Sequence, residues 1–154
     1  MDNSISIRTA KLTDLEALRE FEQGLIEAER PLDPFLGKGK LHYYNIPKMI
    51  AANNIHLIVA VSNTELVASG YVRVENSKQY HKNPTHGYVG FIYVKPLFRG
   101  KKISNFILES LKSWAKNKGL NELRLDVYHN NSSAIKSYEH FGFKKSMIHM
   151  RIDI

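Results

Sequence analysis

The sequence predicts a single α+β domain, a mixed and mostly antiparallel sheet flanked by helices. Three observations carry that prediction. The chain has 154 residues, enough for one full core and too few for two ordinary ones. Two strand-forming runs near its middle are joined by a hairpin turn, and the segment after them alternates strand and helix to the end. Hydrophobic residues make up 43% and charged residues 24%, the balance of a folded globular domain.

The elements follow in order. Ile5 to Arg8 alternate apolar and polar residues, as a strand with one buried face does. Thr13 followed by Glu16 is a capping-box signature, and Leu15, Leu18, Phe21, Leu25 and Ile26 then share one helical face, so residues 14 to 29 are predicted as a helix. RPLDPFLGKGK, with two prolines and two glycines, dictates a loop, and LHYYNIPKMIAANN allows a short second helix. HLIVAVS and LVASGYVRVEN flank Asn63, Thr64 and Glu65 as a hairpin. HGYVGFIYV is apolar on both faces and suits a central strand, while Gly87 and Gly90 within it mark a bulge or a close backbone approach. Ile103, Phe106, Ile107, Leu111 and Trp114 form a helical stripe that ends near Gly119. ELRLDVY alternates as a strand. A Ser or Asn cap then opens a helix bearing Ala134, Ile135 and Tyr138 that stops at Gly142, and KKSMIHMRIDI is predicted as a closing strand.

The inventory excludes several chemistries. With no cysteine there is no disulfide, thiolate metal site or cysteine nucleophile. The seven histidines form no HExxH or other helical ligand pair, so no metal site is expected. Neither a G-x-S-x-G elbow nor a long phosphate-binding loop is present. No apolar leader core opens the sequence and no stretch approaches the ~18 apolar residues of a membrane span, so the expectation is a cytoplasmic protein without membrane contact. The formal charge of +7 favours a polyanionic partner, either nucleic acid or a phosphate-rich cofactor. Basic residues cluster only moderately, at 95 to 102, 112 to 118 and 144 to 145, with no long run and no interleaved aromatics. Nucleic acid is therefore the poorer fit.

The chemistry concentrates between residues 87 and 143. VKPLFRGKKISNF reads as the end of a strand, a basic turn and the start of a helix. Amides at a helix N-terminus lack intrahelical partners and lie at the positive end of the dipole, so such a turn binds anions. On its own it is equally an ordinary basic turn. Further on, Asn131, Ala134, Tyr138, Gly142 and Phe143 stand in the spacing N-x-x-A-x-x-x-Y-x-x-x-G-F. Together the two segments resemble the GNAT superfamily of acyl-CoA N-acyltransferases, whose loop follows R/Q-x-x-G-x-G/A. Arg99 and Gly100 agree with that loop, whereas Lys102 replaces its second glycine and Ser104 its final small residue. Lysine resists positive φ but its charge can face a phosphate, and serine leaves its amide accessible.

The resemblance implies an acetyl-CoA-dependent N-acetyltransferase on a GNAT-like fold with a splayed central strand. It assigns the pyrophosphate to Arg99, Gly100, Lys101, Lys102, Ile103, Ser104 and Asn105, and the pantetheine arm to the backbone of Ile92, Tyr93 and Val94. Asn131, Ala134 and Tyr138 complete the cofactor site, and Tyr138 is the general acid for the departing thiolate. Many relatives place a glutamate on the central strand as base, where this chain has Gly90 and Phe91. A base or acceptor pocket is therefore sought among Glu22, Glu27, Glu29, Asp33, Tyr43 and Tyr44, with His42 nearby and the 76 to 86 loop as a further wall. The acceptor is a small-molecule or peptide amine. The missing carboxylate leaves open a non-catalytic acyl-CoA-binding or sensing module. The apolar closing strand offers an edge for a homodimer.

Overall fold

The computed structural model describes residues 4–154. The first strand, β1 (Ile5–Thr9), leads through a short 3-10 turn into helix α1 (Leu15–Glu29). After the loop comes α2 (Ile46–Ala51), with Asn45 accepting the Lys48 amide at 3.2 Å and Pro47 in its first turn. Strands β2 (Ile55–Ser62) and β3 (Glu65–Asn76) form the expected hairpin, closed by Asn63 and Thr64, with Asn63 at φ +56°. Then follow β4 (Thr85–Val94), α3 (Ile103–Asn117), β5 (Leu123–Arg124) and α4 (Ser132–Phe141). Gly119 and Gly142, each at positive φ, lie just beyond α3 and α4.

The sheet order is β1-β2-β3-β4-β5, antiparallel through β4 and parallel between β4 and β5. Two apolar clusters cover its faces. Ile58, Val72, Val89 and the α3 residues Ile103, Ile107, Leu108 and Leu111 fill one side. Leu18 and Phe21 of α1, Ile46 and Met49 of α2, and Leu57, Val59, Tyr71 and Phe91 fill the other. No helix among the described residues is long and apolar enough to cross a membrane.

Three expectations need correction. The Thr13–Glu16 capping box does not form. Instead Asp14 turns back, accepting the Lys11 amide at 2.8 Å and pairing with Arg8 through both carboxylate oxygens at 2.7 and 2.9 Å, which clasps β1 to the start of α1. Of ELRLDVY only Leu123 and Arg124 join the sheet, opposite Gly87 and Tyr88. The closing strand is absent: residues 144–154 enter no ladder and are exposed throughout. A strand needs a neighbour to satisfy its backbone, and alternation alone does not supply one.

Candidate active site

The turn between β4 and α3 is built to expose amides. Gly100 lies at φ +79° and Lys102 in the left-handed region at φ +62°, ψ +20°, so successive N–H groups are re-aimed toward one concavity. Among the described residues, none of the backbone N–H groups from Gly100 through Ser104 meets a backbone acceptor. Lys102 thus adopts a left-handed conformation at the place where the family pattern carries glycine, at a cost its buried successor Ile103 helps to offset by anchoring α3 in the core. Arg99 donates Nε–H to the Val94 carbonyl at 3.0 Å and lies 5.8 Å from the Tyr93 ring centre, bracing the end of β4. Lys101 sits over Phe98.

Beside this turn β4 is open on one edge. It pairs with β5 only at Gly87 and Tyr88, after which the strands part, leaving residues 89 to 94 without a ladder on that side. Its other edge carries a bulge. Tyr71 pairs with Gly90 and Ser69 with Tyr93, so Phe91 and Ile92 together oppose Gly70. Phe91 stands at φ +54°, and the buried Ser69 hydroxyl donates to its carbonyl at 2.9 Å. The Tyr93 side chain turns away from the open edge to pack, tilted, against the Phe21 ring at 5.1 Å between centres, and a Cβ on Gly24 of α1 would meet its hydroxyl at 2.6 Å. Only the Tyr93 backbone remains for a ligand.

Tyr138 projects from α4 with its ring 6.0 Å from that of Phe143 and packed against the α3-side core. Its hydroxyl makes no hydrogen bond among the described residues, and burial, reinforced by the charge of Glu29, pushes its pKa up to about 12. Asn131 caps α4, accepting the Ala134 amide at 3.2 Å. Its carboxamide oxygen thus already accepts one hydrogen bond, and its NH2 group remains free to donate to a cofactor.

The six acceptor-side candidates divide. Glu22 is buried and accepts the Tyr43 and Tyr44 amides at 2.9 and 2.8 Å, with His42 Nδ1 at 3.3 Å, so it holds the loop to α1. Glu27 is exposed and paired with Arg30. Tyr44 stacks on Phe91 at 4.6 Å as part of an aromatic wall with Tyr71. Glu29, Asp33 and Tyr43 remain together. Burial raises the Glu29 carboxyl above its ordinary range, against a lowering from the Tyr43 hydroxyl, and Asp33 adds a like charge. The Tyr43 hydroxyl is buried and, among the described residues, completes no hydrogen bond of ordinary geometry. Asp33 accepts from the Tyr128 hydroxyl at 2.7 Å and from Arg151 at 2.7 Å, and these contacts, Tyr128 first, hold its pKa down.

Sequence reasoning missed Tyr128, Ser69 and Arg151, none of which carries a motif. It also left the absent strand carboxylate unexplained. A Cβ on Gly90 would lie 2.6 Å from the Tyr71 hydroxyl, so Tyr71 fills that space and a side chain at position 90 would require its ring to move. The 76 to 86 loop sits at the other end of β4 from the basic turn. Asn83 and Arg124 both engage Glu122 there, and Arg124 also meets His81. An open hollow of about 360 Å³ lies within this loop, lined by Asn76, Lys78, His81 and Pro84 among others.

The model of the acetyltransferase (GNAT) family matches residues 16–143, and the chain belongs to that family. No curated protein sequence matches it. Solved structures agree in fold. A mutant of a Bacillus halodurans protein superposes with a TM-score of 0.86 at 19% identity, covering 97% of this chain and 99% of that one. A predicted acetyltransferase of Clostridium acetobutylicum solved with acetyl-CoA gives 0.69 at 19% identity, covering 97% and 96%. Glucosamine-6-phosphate N-acetyltransferase of Arabidopsis thaliana gives 0.66 at 20% identity, covering 98% and 99%.

Proposed function

We propose that the chain transfers an acetyl group from acetyl-CoA to a primary amine by direct attack in a ternary complex, in the cytoplasm. One observation carries the reading: a row of unpartnered amides at the N-terminus of α3 lies beside the unpaired edge of β4. That pairing of features fits a ligand with a pyrophosphate at one end and an amide-bearing arm at the other. Gly100 to Asn105 would hold the pyrophosphate, with Lys101 and Lys102 adding charge, and the backbone of Ile92 to Val94 would take the arm as an added strand.

Acetyl-CoA supplies an activated acyl group. In the transfer the amine nitrogen forms a bond to the acyl carbon and the carbon–sulfur bond breaks. Glu29, raised in pKa and close to Tyr43, is the group best suited to take the amine proton, directly or through water. Tyr138, protonated at neutral pH, would donate its proton to the departing sulfur. Glu29 and Asp33 also favour a cationic acceptor. Two of the solved neighbours are tied to amine acceptors, one named for glucosamine-6-phosphate and one, an AAC(6')-Iy, solved with a CoA-acetylneamine bisubstrate analogue; of these the second is the cationic case.

The test is amine-dependent release of the CoA thiol across polyamines, amino sugars, amino acids and peptides. Release with at least one cationic amine is expected. In Glu29→Gln the rate should fall, and the wild-type decline of kcat with falling pH, set by a carboxyl titrating above its ordinary value, should disappear. Cofactor binding with no release for any amine would leave the sensing reading, which the Tyr71-filled position at Gly90 favours.

A further inference from the structure

We propose that Arg151 fills, from within the chain, a seat that belongs to the acceptor. Its guanidinium rests where a second cationic group of the substrate would sit. The acceptor is then a diamine or oligoamine that sends one amine toward Glu29 and displaces Arg151 from Asp33 with another. Which amine reacts rests on the acetyl-transfer reading; the seat itself does not.

The seat is a carboxylate, a hydroxyl and an aromatic face. Asp33 keeps only 6% of its surface exposed, a burial that a carboxylate tolerates when hydrogen bonds and an opposite charge compensate it. Arg151 donates from Nη2 to Oδ1 at 2.7 Å, and its guanidinium carbon lies 4.4 Å from the centre of the Phe35 ring. The carboxylate attracts charge directly and the ring through its quadrupole, so together they receive an organic cation of any kind. Nothing in the arrangement requires a guanidinium. The carboxylate is moreover fixed without Arg151. The Phe35 amide donates to Oδ1 at 2.9 Å and the Tyr128 hydroxyl to Oδ2 at 2.7 Å. Withdrawing Arg151 would leave Asp33 aimed, with a lone pair and a ring face open to the newcomer.

The seat adjoins the reacting end. Asp33 follows Glu29 by one turn and donates its amide to the Glu29 carbonyl at 3.1 Å. The Glu29 charge reaches Tyr43, Tyr128 and Tyr138, so the proposed base, the hydroxyl of the seat and the proposed acid share one neighbourhood. Arg151 is also placed to leave. Its side chain is 42% exposed, and among the described residues its bond to Asp33 is the one side-chain hydrogen bond or ion pair between residues 144–154 and the rest of the chain. No backbone hydrogen bond joins them either. An ion pair with a half-exposed partner holds weakly, and an incoming ammonium can replace it. The net charge of +7 repels cations, so one that binds here is held by local groups.

Isothermal titration calorimetry on the full chain without acetyl-CoA tests this, with spermidine as the oligoamine and butylamine as the single-charge control. The wild type should bind spermidine at least about tenfold more tightly than butylamine, the second contact being intramolecular once the first is made. Arg151→Met keeps the aliphatic length and removes the competitor. It should bind spermidine about three- to tenfold more tightly, the gain expected if Arg151 occupies the seat in roughly 70–90% of molecules. Arg151→Lys, which keeps a cation there, should stay within about twofold of the wild type. Asp33→Asn preserves the shape without the charge and should bind spermidine no better than butylamine. The proposal is overturned by a wild type without preference for spermidine, by Arg151→Met without a gain, or by Asp33→Asn that keeps the preference. Because no acetyl-CoA is present, the outcome is independent of thiol release, and the seat and the transfer reaction fail separately.

Discussion

Tyr138 and Lys102 show what a single side chain decides in this molecule. Tyr138 was legible from spacing, because Asn131, Ala134, Gly142 and Phe143 frame it, yet its free hydroxyl and raised pKa depend on packing that no motif encodes. Replacement by Phe should lower kcat by roughly 10²-fold or more, the usual range for a positioned proton donor, and leave the Kd for acetyl-CoA unchanged. Because its pKa is about 12, the wild-type rate should show no loss of the acid form below about pH 10. An unchanged kcat in the variant would remove Tyr138 from the reaction. Lys102 is the reverse case. The sequence marks it as a departure from the family loop, and the structure places it in the left-handed region at φ +62°. A residue with a Cβ there costs about 1–2 kcal/mol, and glycine gives back about 0.5–1 kcal/mol in chain entropy, so Lys102→Gly should stabilise by roughly 0.5–1 kcal/mol in denaturant. Acetyl-CoA affinity should fall by less than about tenfold, equal to ~1.4 kcal/mol, if backbone amides carry the binding. A larger loss would assign the pyrophosphate to the lysine charge instead.

Elements were readable where their signals are local. The apolar stripes of α1 and α3, the Asn63–Thr64 hairpin, and the Asn131 cap and Gly142 stop of α4 all follow from short-range pattern. What failed was whatever depends on a partner outside the element itself. The Thr13–Glu16 box lost to Asp14, whose carboxylate meets Arg8 on β1. Asp14→Asn should therefore destabilise by about 1.5–3 kcal/mol at neutral pH, the range for hydrogen bonds to a charged group. The Arg8 hydrogen bonds, chiefly, hold the Asp14 pKa below its ordinary value. The stabilisation is thus complete above the unfolded carboxyl range, near pH 4, and disappears as pH falls through the lower native value. Thermal melts of the two proteins should converge on acidification, and a gap that persists at low pH would show that packing, not charge, is what Asp14 supplies.

At the scale of the whole molecule, the +7 charge pointed to a polyanion without naming one, and the family match supports a CoA ester over nucleic acid. Acetyl-CoA at a hundred times its Kd stabilises by about 2.7 kcal/mol. For a domain of this size that is roughly 5–10 °C in Tm. ATP and a short oligonucleotide should shift it less, and equal shifts from all three would mean that charge alone is being read. The terminal segment was misread at this scale too. Its alternation is that of a strand, but a chain considered alone holds no neighbour for it.

The bulge at Phe91 also sets the parity of everything after it. Val89 faces the α3 side of the sheet, yet Phe91, two residues on, faces the α1 side, and Tyr93 follows it there while Ile92 and Val94 return to the α3 side. One extra residue has exchanged odd for even. Deleting Phe91 would restore regular pairing and leave Tyr93 on the α1 side, whereas pairing the intact sequence without the bulge would drive Tyr93 into the α3 core and turn Ile92 and Val94 toward α1. The position of the whole cofactor edge is in this sense counted, not merely packed, and no substitution at a single position can undo the count.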